Sequence, residues 1–222
     1  MAAGATAQQL RTMDRAAVDD YGIPLLLLME HAGMAVAHAI QARAPHTARI
    51  ICLVGRGHNG GDGLAAMRLL HAAGYQPAVC LLGRRDQLHD EPALYARMLD
   101  RLSIPMHELV HESSWQSCAT AMSSADWIVD AVLGTGLRGA PQSDAVRAIQ
   151  LMNDTPRPVL AVDTPSGLHV DTGTIDAVAV RATVTVTFGK PKQGFFQGQG
   201  PAHVGELLVD AITFPPALLA TP

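Results

Sequence analysis

A chain of 222 residues, 48% apolar and 16% charged, has the material for one buried core and is too apolar to stay disordered. Its net charge of −4, with no basic run, excludes a nucleic-acid partner held mainly through phosphates. Two Trp, three Tyr and four Phe are too few for a single-strand stacking platform.

The N-terminus reads MAAGATAQQLRTMD, without the basic and apolar regions of a signal peptide. No stretch approaches the about 18–20 apolar residues of a membrane span. A soluble, cytoplasmic protein with no membrane partner is expected. Cys52, Cys80 and Cys118 are odd in number and form no C-x-x-C, so they read as small apolar residues rather than a disulfide or zinc framework.

In chain order, Thr6 and Gln9 fit a capping box, and Leu10, Met13, Ala17 and Val18 follow at helical spacing. Gly22-Ile23-Pro24 breaks that helix, and a second one is predicted from Leu25 to about Ala44. From residue 49 short apolar runs alternate with helical segments. Arg49–Val54 and Pro77–Leu82 read as strands, as do Trp127–Leu133, Pro158–Val162, Ala182–Phe188 and Val204–Val209. Gly55–Gly63 reads as a loop, Leu64–Ala73 as an amphipathic helix stopped at Gly74. Further helices are predicted near 91–103 and 143–152. The pattern predicts one domain: N-terminal helices over 1–48, an α/β core over 49–214 with a mostly parallel sheet covered on both faces, and a loosely ordered tail over 215–222. Ligands of such sheets bind at the carboxyl ends of the strands.

Four strand ends carry chemistry. After the first, Gly55, Gly57 and Gly60 match G-x-G-x-x-G, whose glycines allow positive φ and close approach of a phosphate to a helix N-terminus. The acid expected about 20 residues on in an oxidoreductase fingerprint is missing. Arg84 and Arg85 stand there instead, suited to a 2′-phosphate or to a solvated turn. The loop continues as His58-Asn59-Gly60-Gly61-Asp62-Gly63, adding oxygen ligands. Asp62 also suits a helix cap and Asn59 a tight turn. The second strand end is Asp130 followed by Gly134-Thr135-Gly136-Leu137-Arg138-Gly139. An acid inside an apolar strand needs a partner or a metal. The third is Asp163-Thr164-Pro165-Ser166-Gly167, and the fourth places Lys190 and Lys192 just past a strand.

Taken in order, the MEHAG segment (29–33), HNGGDG, VDAVLGTGLRG, AVDTPSG with the later DTG (171–173), and TFGKPKQG resemble the YjeF N-terminal domain family, the NAD(P)H-hydrate epimerases, over nearly the whole chain. The resemblance implies a Rossmann-like three-layer α/β/α sandwich with an N-terminal helical extension. It also implies a homodimer. The implied activity is interconversion of the R and S forms of hydrated NADH and NADPH (NADHX and NADPHX), in partnership with a dehydratase that restores the cofactor. His58, Asn59, Gly60, Gly61 and Asp62, with Gly134, Thr135, Gly136, Leu137, Arg138, Gly139 and Ala140, match the substrate-binding loops. Asp163 matches the ligand-contacting acid/base, and Lys192 a catalytic neighbour. Asn59, Asp130 and Ser166 match potassium ligands, and oxygen donors suit an alkali cation.

Two departures stand out. His58 replaces the usual first asparagine, and Gln193 replaces the usual proline after Lys192, which predicts a looser turn. A non-catalytic nucleotide-binding or scaffold module of the same fold is the alternative reading. An ordinary NAD(P)-dependent oxidoreductase is a third, and the missing acid counts against it.

Overall fold

The strand β1 (Arg49–Val54) is buried at every position but its first, because both faces of the sheet around it are covered. In the computed structural model, which describes residues 4–136 and 139–220, it belongs to a sheet of seven parallel strands. They are β2 (Gln76–Leu81), β3 (Met106–Glu108), β4 (Trp127–Ala131), β5 (Val159–Val162), β6 (Val184–Phe188) and β7 (Glu206–Asp210), with β1 making the seventh. Their spatial order is β3-β2-β1-β4-β5-β6-β7, so the chain reverses direction across the sheet between β1 and β4. That switch point opens a crevice at the carboxyl ends of these two strands.

Alternation along the strands feeds two cores. Ile50, Cys52 and Val54 of β1 join Val129, Leu160 and Val186 beneath helices α1 (Ala7–Asp19), α2 (Leu25–Gln41), α3 (His58–Ala72) and α4 (Asp90–Arg101). Ile51 and Leu53 face the other way, toward Trp115, Cys118 and Met122 of α5 (Glu112–Ser123) and Ala148, Ile149 and Met152 of α6 (Ser143–Asp154). The result is the expected three-layer α/β/α sandwich. All three cysteines are free and buried. No helix among the described residues is long and apolar enough to cross a membrane.

Three predicted features differ. The loop over Gly55–Gly63 is shorter than expected, because α3 begins at His58 and HNGGDG forms its first turn and a half. None of the glycines at 55, 57, 60, 61 and 63 takes a positive φ. Gly55, Gly60 and Gly63 are small because the helix lies hard against the sheet. A Cβ on Gly60 would overlap the Gly55 carbonyl oxygen, one on Gly55 the Val132 carbonyl oxygen, and one on Gly63 would sit 2.5 Å from the Ala131 Cβ. Within the described part of the tail, up to residue 220, the short helix α8 (Pro216–Leu219) packs Leu218 and Leu219 onto the core. A short helix α7 (Gly200–His203) precedes β7. The strand β3 and helix α5 escaped the sequence reading: three residues are too short for an alternation signal, and the segment after them is rich in Ser and His.

The N-terminal segment is stitched over the carboxyl edge of the sheet. Thr6 and Gln9 form the predicted capping box, with Gln9 N donating to Thr6 Oγ1 at 3.2 Å and Thr6 N to Gln9 Oε1 at 2.8 Å. Ala7 N donates to the Asp171 carboxylate at 2.6 Å. Ala5 N donates to the Pro191 carbonyl at 2.8 Å, and Gln193 N returns a bond to the Ala5 carbonyl at 3.0 Å. Gln193 therefore does not loosen its turn. It supplies an N–H that a proline lacks, and the 3-10 turn Gln193–Phe196 buries Phe195.

Candidate active site

A cavity of about 1110 Å³ lies over the carboxyl ends of the strands. Gly55 to Asn59 and Asp62 line it from the β1–α3 connection, Val132 to Gly136 and Ala140 from the segment after β4, and Asp163 and Lys192 from the far side. Leu10, Arg11 and Asp14 of α1 line it as well.

Asp163 follows the last residue of β5 and adopts φ +63°, a left-handed conformation uncommon for a residue with a Cβ. Two backbone bonds hold it there: Asp163 N to the Val186 carbonyl and Thr164 N to the Val162 carbonyl, both 2.7 Å. Its Oδ1 accepts from the Lys192 ammonium, from Phe188 N at 3.2 Å and from Thr187 Oγ1 at 3.4 Å. The Lys192 side chain is only 1% exposed, and Nζ also donates to the Phe188 carbonyl at 3.1 Å. A lysine this deeply buried is tolerated because a carboxylate and a carbonyl face it.

Two further carboxyl groups share the cavity. Burial pushes Asp62 well above the usual carboxylate range, and the negative charges of Asp163 and Asp14 push it the same way. Asp62 is the fifth residue of α3, so it is not the helix cap; Gly57 holds that position. Asp14 is raised to about 6, first by the protein atoms around it and second by the charge of Asp163. Its side chain is exposed at the edge of the cavity.

Asp130 and Ser166 meet behind this wall. Both are fully buried. Ser166 Oγ donates to Asp130 Oδ1 at 2.6 Å, Ser166 N to Oδ2 at 2.8 Å, and Val132 N to Oδ1 at 3.2 Å. Among the described residues no cationic side chain pairs with Asp130, and burial raises its carboxyl to about 6. Ser166 Oγ also accepts from Leu133 N at 2.8 Å. Asn59 packs against Gly134, the next residue along, and its buried amide Oδ1 and Nδ2 have no partner among the described residues. A buried acid without a cation and a buried amide oxygen without a donor, flanking one strand exit, fit a monovalent cation with oxygen ligands. Among the described residues no cluster of three His, Cys, Asp or Glu side chains suits a transition metal.

The remaining sequence-predicted residues fall into distinct places. His58 and Asn59 are in the first turn of α3, whose leading amides lack intrahelical partners and face the cavity. Gly60 and Gly61 lie in the packed wall behind them, Gly61 against Met29. Gly134, Thr135, Gly136 and Ala140 border the cavity, whereas Gly139 takes φ +70° in an open turn. Leu137 and Arg138 lie outside the described residues. Arg84 lines the cavity while paired with Asp86 at 3.2 Å, and Arg85 turns away to Asp100 and the Met106 carbonyl. Missed by the sequence reading were Asp14, Arg56, Trp115 and the apolar rim of Phe188, Ile212 and Phe214. They come from five separate segments: Arg56 and Phe188 sit inside motifs read for other residues, and the rest carry no local signature.

Fold and site together define an α/β domain with a helix N-terminus and a lysine-held carboxylate in one crevice. The chain belongs to the family described as YjeF-related protein N-terminus, whose model matches residues 26–194. It is 38% identical over 204 residues to an NAD(P)H-hydrate epimerase of Limosilactobacillus fermentum, covering 92% of this chain and 94% of that one. It is 37% identical to an NAD(P)H-hydrate epimerase of Pirellula staleyi, over 94% of this chain and 92% of the relative. A bifunctional NAD(P)H-hydrate repair enzyme Nnr of Pyrobaculum aerophilum is 43% identical over 88% of this chain, which spans only 39% of that protein. The crystal structure of yeast ynu0, YNL200c, superposes with a TM-score of 0.79 at 23% identity, covering 92% of this chain and 86% of that one. That likeness is one of fold.

Proposed function

We propose that this chain is an NAD(P)H-hydrate epimerase, interconverting the R and S forms of hydrated NADH and NADPH in cofactor repair. The observation that carries the reading is Asp163, fixed at a strand end by Lys192 on the floor of a cavity large enough for a dinucleotide. The names of relatives that match it end to end support the same activity. The reaction inverts one ring carbon, C6, which carries a hydroxyl beside a nitrogen. The nitrogen lone pair expels that hydroxyl and water returns on the other face, without redox change. Asp163 exchanges the proton at the C6 oxygen, and Lys192 holds its carboxylate in place. The first turn of α3 and the segment after β4 receive the phosphates and ribose.

Asn59, Asp130 and Ser166 would hold a potassium ion. When bound, it supplies positive charge that neutralises Asp130 and fixes the exits of β1, β4 and β5. We also assign the chain a homodimeric state, a cytoplasmic location, for which free buried cysteines speak, and a dehydratase as its partner in repair. The bifunctional names of several relatives support that last pairing.

Chromatographic exchange of R-NADHX and R-NADPHX, with and without potassium and beside the Asp163→Asn variant, tests the reading. Catalysed exchange in the wild type that vanishes in the variant is expected. Binding without exchange in the wild type would make the chain a non-catalytic module instead.

A further inference from the structure

Inversion at a ring carbon that stays in place has a geometric demand. The departing and arriving oxygens lie on opposite faces of the planar intermediate, so a proton donor serving one face does not reach the other. Asp163 and Lys192 rise from the exits of β5 and β6. The cavity has a second wall made by α1, and Leu10, Arg11 and Asp14 present one face of that helix to it. The wall is fixed in place. Leu10, Met13 and Ala17 are buried beneath α1, Asp171 holds its first turn, and Ala5 pairs with Lys192.

Among the described residues Asp14 has no hydrogen bond or salt bridge, although three polar side chains sense its charge. The charged and titratable groups facing it are Asp163 past β5, Lys192 past β6, His58 and Asp62 on α3, and Arg11 on its own helix. An exposed acid at the cavity, with no side-chain bond among the described residues and the Asp163 charge acting on it, has no role in holding the fold.

We propose that Asp14 is a second catalytic acid/base of the epimerase, serving the ring face opposite Asp163. The proposal rests on the reaction assigned above. In one direction the Asp14 carboxyl gives its proton to the C6 hydroxyl. The C6–O bond breaks as the nitrogen lone pair forms a C=N bond, and one water leaves. A second water adds from the other face. Its oxygen forms the new C6–O bond, the C=N electrons return to nitrogen, and its proton passes to the Asp163 carboxylate. The net change is one proton moved from Asp14 to Asp163, and solvent in the cavity returns it. In the reverse direction the two acids exchange roles. A carboxyl raised to about 6 is suited to this, since it holds its proton in a useful fraction of molecules near neutrality.

The test measures epimer exchange of R-NADHX in H₂¹⁸O for the wild type, Asp14→Asn and Asp14→Glu, with uncatalysed exchange subtracted. Asp14→Asn should lower kcat by about 100-fold or more, the usual weight of a general acid, with KM within twofold and no loss of Tm. The fall of wild-type kcat/KM above about pH 6 should disappear in the variant. Asp14→Glu should recover part of kcat, and ¹⁸O should enter with each inversion. Wild-type kcat and pH profile in Asp14→Asn, or a change in KM alone, overturns the proposal while the assigned reaction stands. A wild type that exchanges no epimers overturns both.

Discussion

The Lys192 ammonium donates at once to the Asp163 carboxylate and to the Phe188 carbonyl oxygen, so one buried cation ties the exits of β5 and β6 together. Asp163 is thereby held in a left-handed conformation that no glycine relieves. Backbone strain of this kind persists where surrounding contacts over-determine it, and such places are commonly sites of chemistry.

Asp163→Asn should keep the fold, because asparagine tolerates the left-handed region well, and should abolish catalysed exchange. Lys192→Met should destabilise by about 2 kcal/mol, less than for a fully buried pair because Asp163 keeps contact with water through the cavity. Chemical denaturation of the two variants beside the wild type measures the contrast. Equal stability of Lys192→Met and wild type would mean that the ion pair is energetically idle.

Gly57 and Gly60 separate recognition from packing. A Cβ on Gly60 would overlap the Gly55 carbonyl, so Gly60→Ala should cost about 3 kcal/mol, the upper end for overpacking, and lower Tm. A Cβ on Gly57 meets nothing within 4 Å and projects at the cavity wall. Gly57→Ala should leave Tm nearly unchanged and raise KM for the hydrated cofactor. Thermal melts and steady-state kinetics on both variants check this. A KM effect confined to Gly60→Ala would reverse the assignment.

Potassium should raise Tm where lithium and choline at equal ionic strength do not. The gain should shrink in Asn59→Ala and in Ser166→Ala, each of which removes one proposed oxygen ligand. A Tm gain identical for all three salts would reduce the effect to general screening.

Asp14 gives stability a pH dependence of definite sign. Its carboxyl is raised from 3.8 to about 6 on folding, so the native state favours the neutral form. The stability it contributes is complete below pH 3.8 and is lost as pH rises through 6. Asp14→Asn, which stays neutral, should therefore match the wild type at pH 3.5 and melt higher than it at pH 7.5. Denaturation at the two pH values reads the difference. A variant less stable than wild type at pH 7.5 would show that the Asp14 charge is favourable where it sits.

All strands but β3 were legible because each is an apolar run ended by a glycine or an acid. The ligand-facing segments were legible for a related reason: an acid or glycine cluster placed where an apolar run ends has no packing role in the strand itself. Asp14 was not legible. It occupies one polar position of an amphipathic helix whose pattern Leu10, Met13 and Ala17 already account for, and only the tertiary fold brings it to Asp163. The role of the glycines in HNGGDG was misread as conformational freedom, since a sequence does not distinguish a glycine needed for its φ from one needed for its missing Cβ.

By itself the sequence determined an α/β fold, low in aromatic rings and net charge, with polar and glycine clusters at strand ends. Those are consequences of composition and local periodicity, which act over a few residues. What the tertiary structure decided is which of those ends share a cavity, which glycines are contact points between helix and sheet, and which acid on a distant helix faces the lysine-held carboxylate. Such facts depend on the order β3-β2-β1-β4-β5-β6-β7 and on the stitching of the N-terminus to the Lys192 turn, both set by packing between segments far apart in the chain.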